Sequence, residues 1–189
     1  VLDTVAITLQ GTPLIRPFGL SVGAGEVVTL MGQSGSGKST LLSLVAGDLG
    51  LPFSFSGRIL LDGEDVTTLA PETRRIGRLF QDDLLFPHLT VGENLLFGIS
   101  RQVDDRTGMM RQGLKQMDME GFEHRAPHTL SGGQRSRVAL MRALLAKPSA
   151  MLLDEPFNKL DQELRGGMRD FVFTHLVERR IPCLMVTHD

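Results

Sequence analysis

Lys38 and Ser39 close a run of glycines and serines, GQSGSGKST over residues 32–40. The order glycine, four residues, glycine, lysine, serine is the spacing of a phosphate-binding loop. A triphosphate needs several backbone N–H groups aimed at its oxygens, and glycines let the backbone come close without a Cβ in the way. Gly32, Gln33, Ser34, Gly35, Ser36 and Gly37 are the expected cradle, continued by Thr40. A helix starting near Lys38 would add the positive end of its dipole. Lys38 supplies a mobile cation for the β- and γ-phosphates, and the Ser39 hydroxyl can bind Mg2+. The alternative is a flexible Gly/Ser turn beside an exposed lysine. The apolar strand pattern before the loop and the apolar helix pattern after it disfavour that alternative, so nucleoside triphosphate binding is the expectation.

Two further stretches carry chemistry. In MLLDEP, residues 151–156, an apolar run ends in a carboxylate pair. Asp154 is placed to support Mg2+ through water or through Ser39, and Glu155, one residue on, could polarise an attacking water as general base. In TLSGGQ, residues 129–134, a Ser-Gly-Gly run opens a helix, which is a second anion-binding device. One triphosphate needs one cradle, and this chain carries two phosphate-type helix starts. An antiparallel homodimer accounts for both, with Ser131 and Gly133 of each copy closing on the γ-phosphate held by the other copy's Lys38.

Alternating strands and helices must hold these stretches. Residues 27–31, 76–80, 150–154 and 183–187 read as apolar strands, and the second of them delivers Gln81 at its end. Residues 1–22 read as two short strands around a turn at Gly11-Thr12-Pro13, residues 48–57 as a loop, and residues 58–61 as a strand closing on Asp62-Gly63. From residue 82 to 147 the pattern is helical, broken by Pro87, Gly98, Gly108 and Pro127. The methionine-rich stretch 104–119 reads as core or subunit-contact packing. Residues 133–147 form a clear helix stopped by Pro148, and residues 162–180 a helix interrupted at Gly166-Gly167. Gln81, Asp154, Glu155 and His188 therefore collect at the C-terminal ends of strands, the edge where parallel α/β sheets bind ligands.

Composition narrows the partners. A chain of 189 residues holds one domain with a sizeable core and is too short for two full nucleotide domains. A net charge of −2 gives no broad basic field, so no nucleic-acid partner is expected. A single cysteine, Cys183, cannot form an internal disulfide and suits a reducing compartment. No apolar run approaches the roughly 18 residues of a membrane span, and no signal peptide is visible. A start at Val1 points to a processed or trimmed form.

GQSGSGKST, Gln81, LSGGQ, MLLDEP and a terminal histidine, in this order, resemble the ATP-binding subunits of ABC transporters over essentially the whole chain. RRIGRLFQDDLLFPHLTVGENLLFG (74–98) and LSGGQRSRVALMRALLAKP (130–148) are similar to bacterial importers of the thiamine, ferric-ion, sulfate and spermidine group. The resemblance implies an α/β fold: a phosphate-loop NTPase core, mainly parallel sheet flanked by helices, with a small antiparallel β subdomain and an inserted helical subdomain. It implies one domain over 1–189, with 1–81 and 149–189 as the nucleotide-binding core and 82–148 as the helical part. It implies ATP and Mg2+ as ligands, with Ser131, Gly132, Gly133 and Gln134 contacting nucleotide across a homodimer. It also gives roles to single residues: Gln81 senses metal and attacking water, Asp161 sits at the dimer seam, and His188 touches the γ-phosphate. Residues 84–94 resemble the dock for transmembrane permease subunits, with a periplasmic solute-binding protein acting indirectly. The implied location is the cytoplasmic face of the bacterial inner membrane.

The sequence departs from that pattern in three places. The family's adenine-stacking aromatic falls at Leu9, and the chain has no tyrosine or tryptophan. The seam reads NKLD, with Lys159 where a small residue is usual. The sequence stops just after His188, where such subunits continue with another helix and strand, so a longer native protein or a trimmed form is expected. Related ATPases of DNA repair carry a long coiled coil, and those acting on ribosomes carry paired domains; neither fits this length. A low-turnover nucleotide switch would have no need of Glu155.

Overall fold

The computed structural model describes residues 1–189 apart from Gln81, Lys159, Asp161 and Asp189, and apart from the side chains of Glu163 and Leu164. In chain order the strands are β1 (Leu2–Leu9), β2 (Thr12–Leu20), β3 (Val27–Met31), β4 (Phe53–Leu61), β5 (Glu64–Asp65), β6 (Ile76–Leu79), β7 (Ala150–Asp154) and β8 (Cys183–Thr187). The helices are α1 (Lys38–Ala46), α2 (Val91–Gly98), α3 (Arg106–Gln116), α4 (Gly132–Leu145) and α5 (Gln162–Glu178). Two sheets result, one ordered β2-β1-β4-β5 and the other β3-β8-β7-β6. The α/β expectation holds: pairing is antiparallel in the first sheet and parallel for β3-β8 and β7-β8 in the second.

Backbone contacts divide the chain into two compact units. One comprises Val1–Arg78, Ser149–Glu155 and His175–Asp189; the other comprises Leu79–Pro148 and Pro156–Thr174. In the first unit a single apolar cluster joins Leu2, Val5 and Ile7 of β1, Leu41 and Leu42 of α1, and Leu152, Leu184 and Val186 of the parallel strands. Helix α1 is thus gripped between two sheets. Each such aliphatic side chain contributes roughly 1.5–3 kcal/mol by burial, enough to hold the end of α1 that carries Lys38 in a fixed place. In the second unit α2, α3 and α4 enclose a separate cluster that includes Met110, Met117 and Met119, so the methionine-rich stripe is core.

Two expectations about elements need correction. Residues 48–57 are not all loop, because β4 begins at Phe53. Phe53 and Phe55 stand opposite Leu9 and Ile7 on β1, and this long-range ladder overrides the local turn signals. Gly57, which looks like a break, is a strand residue at φ 95°, packed so closely that a Cβ would lie 2.5 Å from the Thr4 carbonyl oxygen. The β1–β4 register shifts at the same place, as it does at a bulge. Helix α5 runs unbroken through Gly166-Gly167. Two glycines weaken a helix by about 1 kcal/mol each without obliging it to stop.

Candidate functional site

The loop after β3 is shaped by its glycines. Gly35 and Gly37 have φ of 80° and 88°. At Gly37 a Cβ would also stand 3.0 Å from Leu14 Cγ and 3.2 Å from Ile15 Cγ1, so both backbone and space require glycine. Gly37 is the N-cap of α1 and supplies no side-chain cap. The first N–H groups of α1 therefore remain as donors for an anion. Lys38 folds back over the loop, its Nζ donating to the carbonyls of Gly32 at 2.6 Å and Gln33 at 2.9 Å. An ammonium has three protons, so this posture keeps the cation over the cradle with one still to give.

Sheet register brings the other groups to the same edge. Met31 pairs with Thr187, and Asp154 with Val186, so β3, β7 and β8 end side by side. The Ser39 hydroxyl donates to Asp154 Oδ1 at 3.0 Å. A hydroxyl and a carboxylate beside a phosphate cradle are the hard oxygen donors that suit Mg2+, which takes one or two protein oxygens and fills its octahedron with phosphate and water. Glu155 turns the chain sharply, with φ 46°, while its N–H donates to the Val186 carbonyl at 3.0 Å. A non-glycine residue in that region stores strain, and here the strained turn points the carboxylate at His188. Glu155 Oε1 lies 2.9 Å from His188 Nδ1. A half-open cavity of about 270 Å3 is lined by loop and α1 residues within 34–40, by Glu155, and by the apolar side chains of Leu9, Leu14 and Phe53.

The second helix start is built differently. Ser131 is the N-cap of α4: its Oγ accepts from the Gln134 N–H at 3.3 Å, and Gln134 Oε1 accepts from the Ser131 N–H at 3.0 Å. This closed capping box engages part of what the sequence offers as free donors. The N–H groups of Gly132 and Gly133 and the Ser131 hydroxyl proton remain. The stretch 131–134 belongs to the second compact unit, while the loop, Asp154, Glu155 and His188 belong to the first. Gln81 and Asp161 lie outside the described residues.

Residues 15–158 match the family model described as ABC transporter. This chain belongs to the ABC transporter family. The uncharacterized ABC transporter ATP-binding protein YnjD of Escherichia coli K12 is 44% identical over 187 residues, covering 98% of this chain and 86% of that protein. The Fe(3+) ions import ATP-binding protein FbpC of Pasteurella multocida is 41% identical across the whole chain but over 54% of its own length. The spermidine/putrescine import ATP-binding protein PotA of Shigella dysenteriae is 41% identical over 95% of this chain and 48% of its own length. The chain thus spans about half the length of these named importers. Among the described residues no helix is long and apolar enough to cross a membrane.

Three residues that shape this ABC site escaped the sequence reading. Phe53 stands opposite Leu9 in the β1–β4 ladder and lines the cavity, so the site has an aromatic side chain although Leu9 is not one. Buried Arg74 donates from Nη1 to the carbonyls of Leu44 and Val45, both at 2.9 Å, at the C-terminal end of α1. Its burial lowers the guanidinium's pKa, yet it remains a cation placed where the helix dipole favours one. Arg78 touches Asp154 and Asp48. The loop, the carboxylate pair and the Ser-Gly-Gly start are legible as motifs, whereas these three declare themselves only once the chain folds. Cys183 is no candidate nucleophile, because burial pushes its thiol up to about 12.

Proposed function

We propose that this chain is the ATP-binding and hydrolysing subunit of an ABC importer, acting as a head-to-tail homodimer beneath transmembrane permease subunits. The observation that carries the reading is the Glu155–His188 pair at 2.9 Å, on the same sheet edge as Lys38 and Ser39. A binding module needs a phosphate cradle, whereas a carboxylate oriented by a histidine beside that cradle serves turnover. The names of FbpC and PotA, ATP-binding proteins of importers, support the transport role. The location follows as peripheral, on the cytoplasmic face of the inner membrane, with a solute-binding protein meeting the permease from the other side.

In this reading the N–H groups of the loop and of α1 hold the β- and γ-phosphates, and Lys38 redirects one or more of its N–H donors from the loop carbonyls to them. Ser39 and Asp154 would hold Mg2+, which when bound withdraws charge from the phosphate oxygens. Glu155 accepts a proton from water as the water oxygen bonds to the γ-phosphorus; the bond from that phosphorus to the β,γ-bridging oxygen breaks, leaving ADP and phosphate. His188 steadies the Glu155 carboxylate and offers its other nitrogen to the γ-phosphate. Gln81 senses metal and attacking water, and Asp161 lies at the seam between copies. Ser131, Gly132, Gly133 and Gln134 of the partner copy close the site, so hydrolysis releases the two chains and resets the permease.

The test is Glu155→Gln. Turnover should fall about a thousandfold while MgATP binding is kept, as expected on removal of a general base. Light scattering should then show a MgATP-dependent dimer that the unmodified chain forms only transiently. Turnover retained within a few-fold, or a variant that binds MgATP and stays monomeric with and without permease, would overturn the reading.

A further inference from the structure

Arg78, at the end of β6, divides its guanidinium between two carboxylates within one compact unit. Nη1 donates to Asp48 at 3.0 Å (Oδ2) and 3.3 Å (Oδ1), and to Ser43 Oγ at 3.2 Å. Nη2 donates to Asp154 Oδ2 at 3.5 Å. The Arg78 side chain is 12% exposed and that of Asp154 15%, so water screens this pair poorly, whereas Asp48 at 44% is partly solvated. Asp154 thus offers one oxygen to Ser39 and the other to a fixed cation.

We infer that Arg78 is a tethered cation that competes with the divalent metal for Asp154, and that Asp48 restrains it. The two contacts are unequal: the guanidinium sits closer to Asp48 than to Asp154. A single positive charge a few Å from a dication opposes it, and the opposition is strong where solvent is excluded. Shared as it is, Arg78 neutralises Asp154 when no metal is present and withdraws toward Asp48 when metal arrives. The site is then ordered before loading and demands a higher Mg2+ concentration than an apolar residue at position 78 would set. Arg78 is a positioning residue, since it acts through Asp154. The inference rests on the proposal that Asp154 supports Mg2+.

The measurement is the affinity of the full chain for a ribose-labelled fluorescent ATP, with Mg2+ and with chelator. The ratio of the two affinities reports what the metal contributes, independently of turnover. Arg78→Met should raise that ratio about fivefold, and Asp48→Asn, which frees the guanidinium for Asp154, should lower it about threefold. Arg78→Lys keeps the charge but not the fork that reaches both carboxylates, so its ratio should fall between those of Arg78→Met and the unmodified chain. A packing role would move Arg78→Met and Asp48→Asn in the same direction, and that result overturns the inference, as does an unchanged ratio in Arg78→Met. Asp154→Asn separates the two readings. Its ratio should collapse toward one; an unchanged ratio there would overturn the metal assignment and this inference with it. Melting curves check that each variant folds, and Arg78→Gln replaces Arg78→Met if the latter does not.

Discussion

The two phosphate-type helix starts in this chain solve the same problem in opposite ways. Helix α1 begins at a left-handed glycine with no side-chain cap, and its only cation is folded over the loop carbonyls. Helix α4 begins at a serine whose cap is closed by Gln134 in both directions. An uncapped start is less stable by itself and gives all its donors to a ligand; α1 can bear this because its body is gripped between two sheets. A boxed start is complete without a ligand and presents its remaining donors at a fixed place. The first suits a ligand that the same unit binds, the second a ligand brought by another molecule.

The sharpest way to break this contrast is to give α1 a cap. Gly37→Ser would place a side chain at φ 88° and a Cβ 3.0 Å from Leu14 Cγ. Nucleotide affinity should fall more than about a hundredfold and folding stability by about 1–2 kcal/mol, the cost of a left-handed non-glycine residue. Fluorescent-ATP titration and urea unfolding read the two effects. A variant that binds as tightly as the unmodified chain would show that the loop conformation does not make the site.

The converse change strips the cap from α4. Ser131→Ala should cost about 1 kcal/mol in stability. Turnover should fall about a hundredfold, the usual loss for a missing transition-state donor, while nucleotide affinity of the separate chain is unchanged. Binding that weakens in step with turnover would place Ser131 in the same chain's site and remove the argument for a dimer.

Which of these features could be read from the sequence follows from how local each one is. The loop, the carboxylate pair at the end of β7 and the Ser-Gly-Gly start are local strings, and β3, β7 and β8 fall at the residues their apolar runs predict. The sheet register that gathers Lys38, Asp154, Glu155 and His188 follows from parallel strands ending together, so most of the site was legible. Phe53 was not, because Ser54, Ser56 and Gly57 mimic a loop until Leu9 pairs with Phe53. Arg74, at the end of a short helical turn, and Arg78, on a short strand, read as ordinary charges, since the α1 carbonyls that Arg74 reaches and the carboxylates that Arg78 reaches lie roughly 30 residues or more away. The glycine pair of α5 misled in the other direction, as a propensity that tertiary packing overrides.

A gentler change keeps the α4 box and alters its charge. Gln134→Glu preserves the cap, since glutamate is an equally good partner for a serine N-cap, and stability should stay within about 0.5 kcal/mol. The new carboxylate faces the phosphates that Gly132 and Gly133 are proposed to contact, so turnover should fall about tenfold at neutral pH. Partial recovery as ionic strength is raised, relative to the unmodified chain, would confirm that charge is the cause; equal loss at every ionic strength would point to altered geometry.

The smallest effect tests why α4 carries a glutamine at all. Helix α2 has the same box built with an acid, Thr90 with Glu93. There the Thr90 backbone N–H, and then its hydroxyl, hold the Glu93 carboxyl below its usual range. A carboxylate whose folded pKa is depressed stabilises fully above its unfolded value of about 4.3, and that stabilisation is lost as pH falls through the lower folded value. The α2 box is therefore acid-sensitive, and the α4 box, with nothing to titrate, is not. Glu93→Gln should narrow the difference in unfolding midpoint between pH 7 and pH 3 without changing turnover at pH 7, whereas Gln134→Glu should widen it. Opposite signs from the two exchanges would show that the α4 box owes its pH independence to Gln134, which keeps its donors in place at any pH where the chain is folded. Equal and unchanged acid sensitivity in both would mean that neither box contributes measurably, and the contrast between α1 and α4 would then rest on the glycine loop alone.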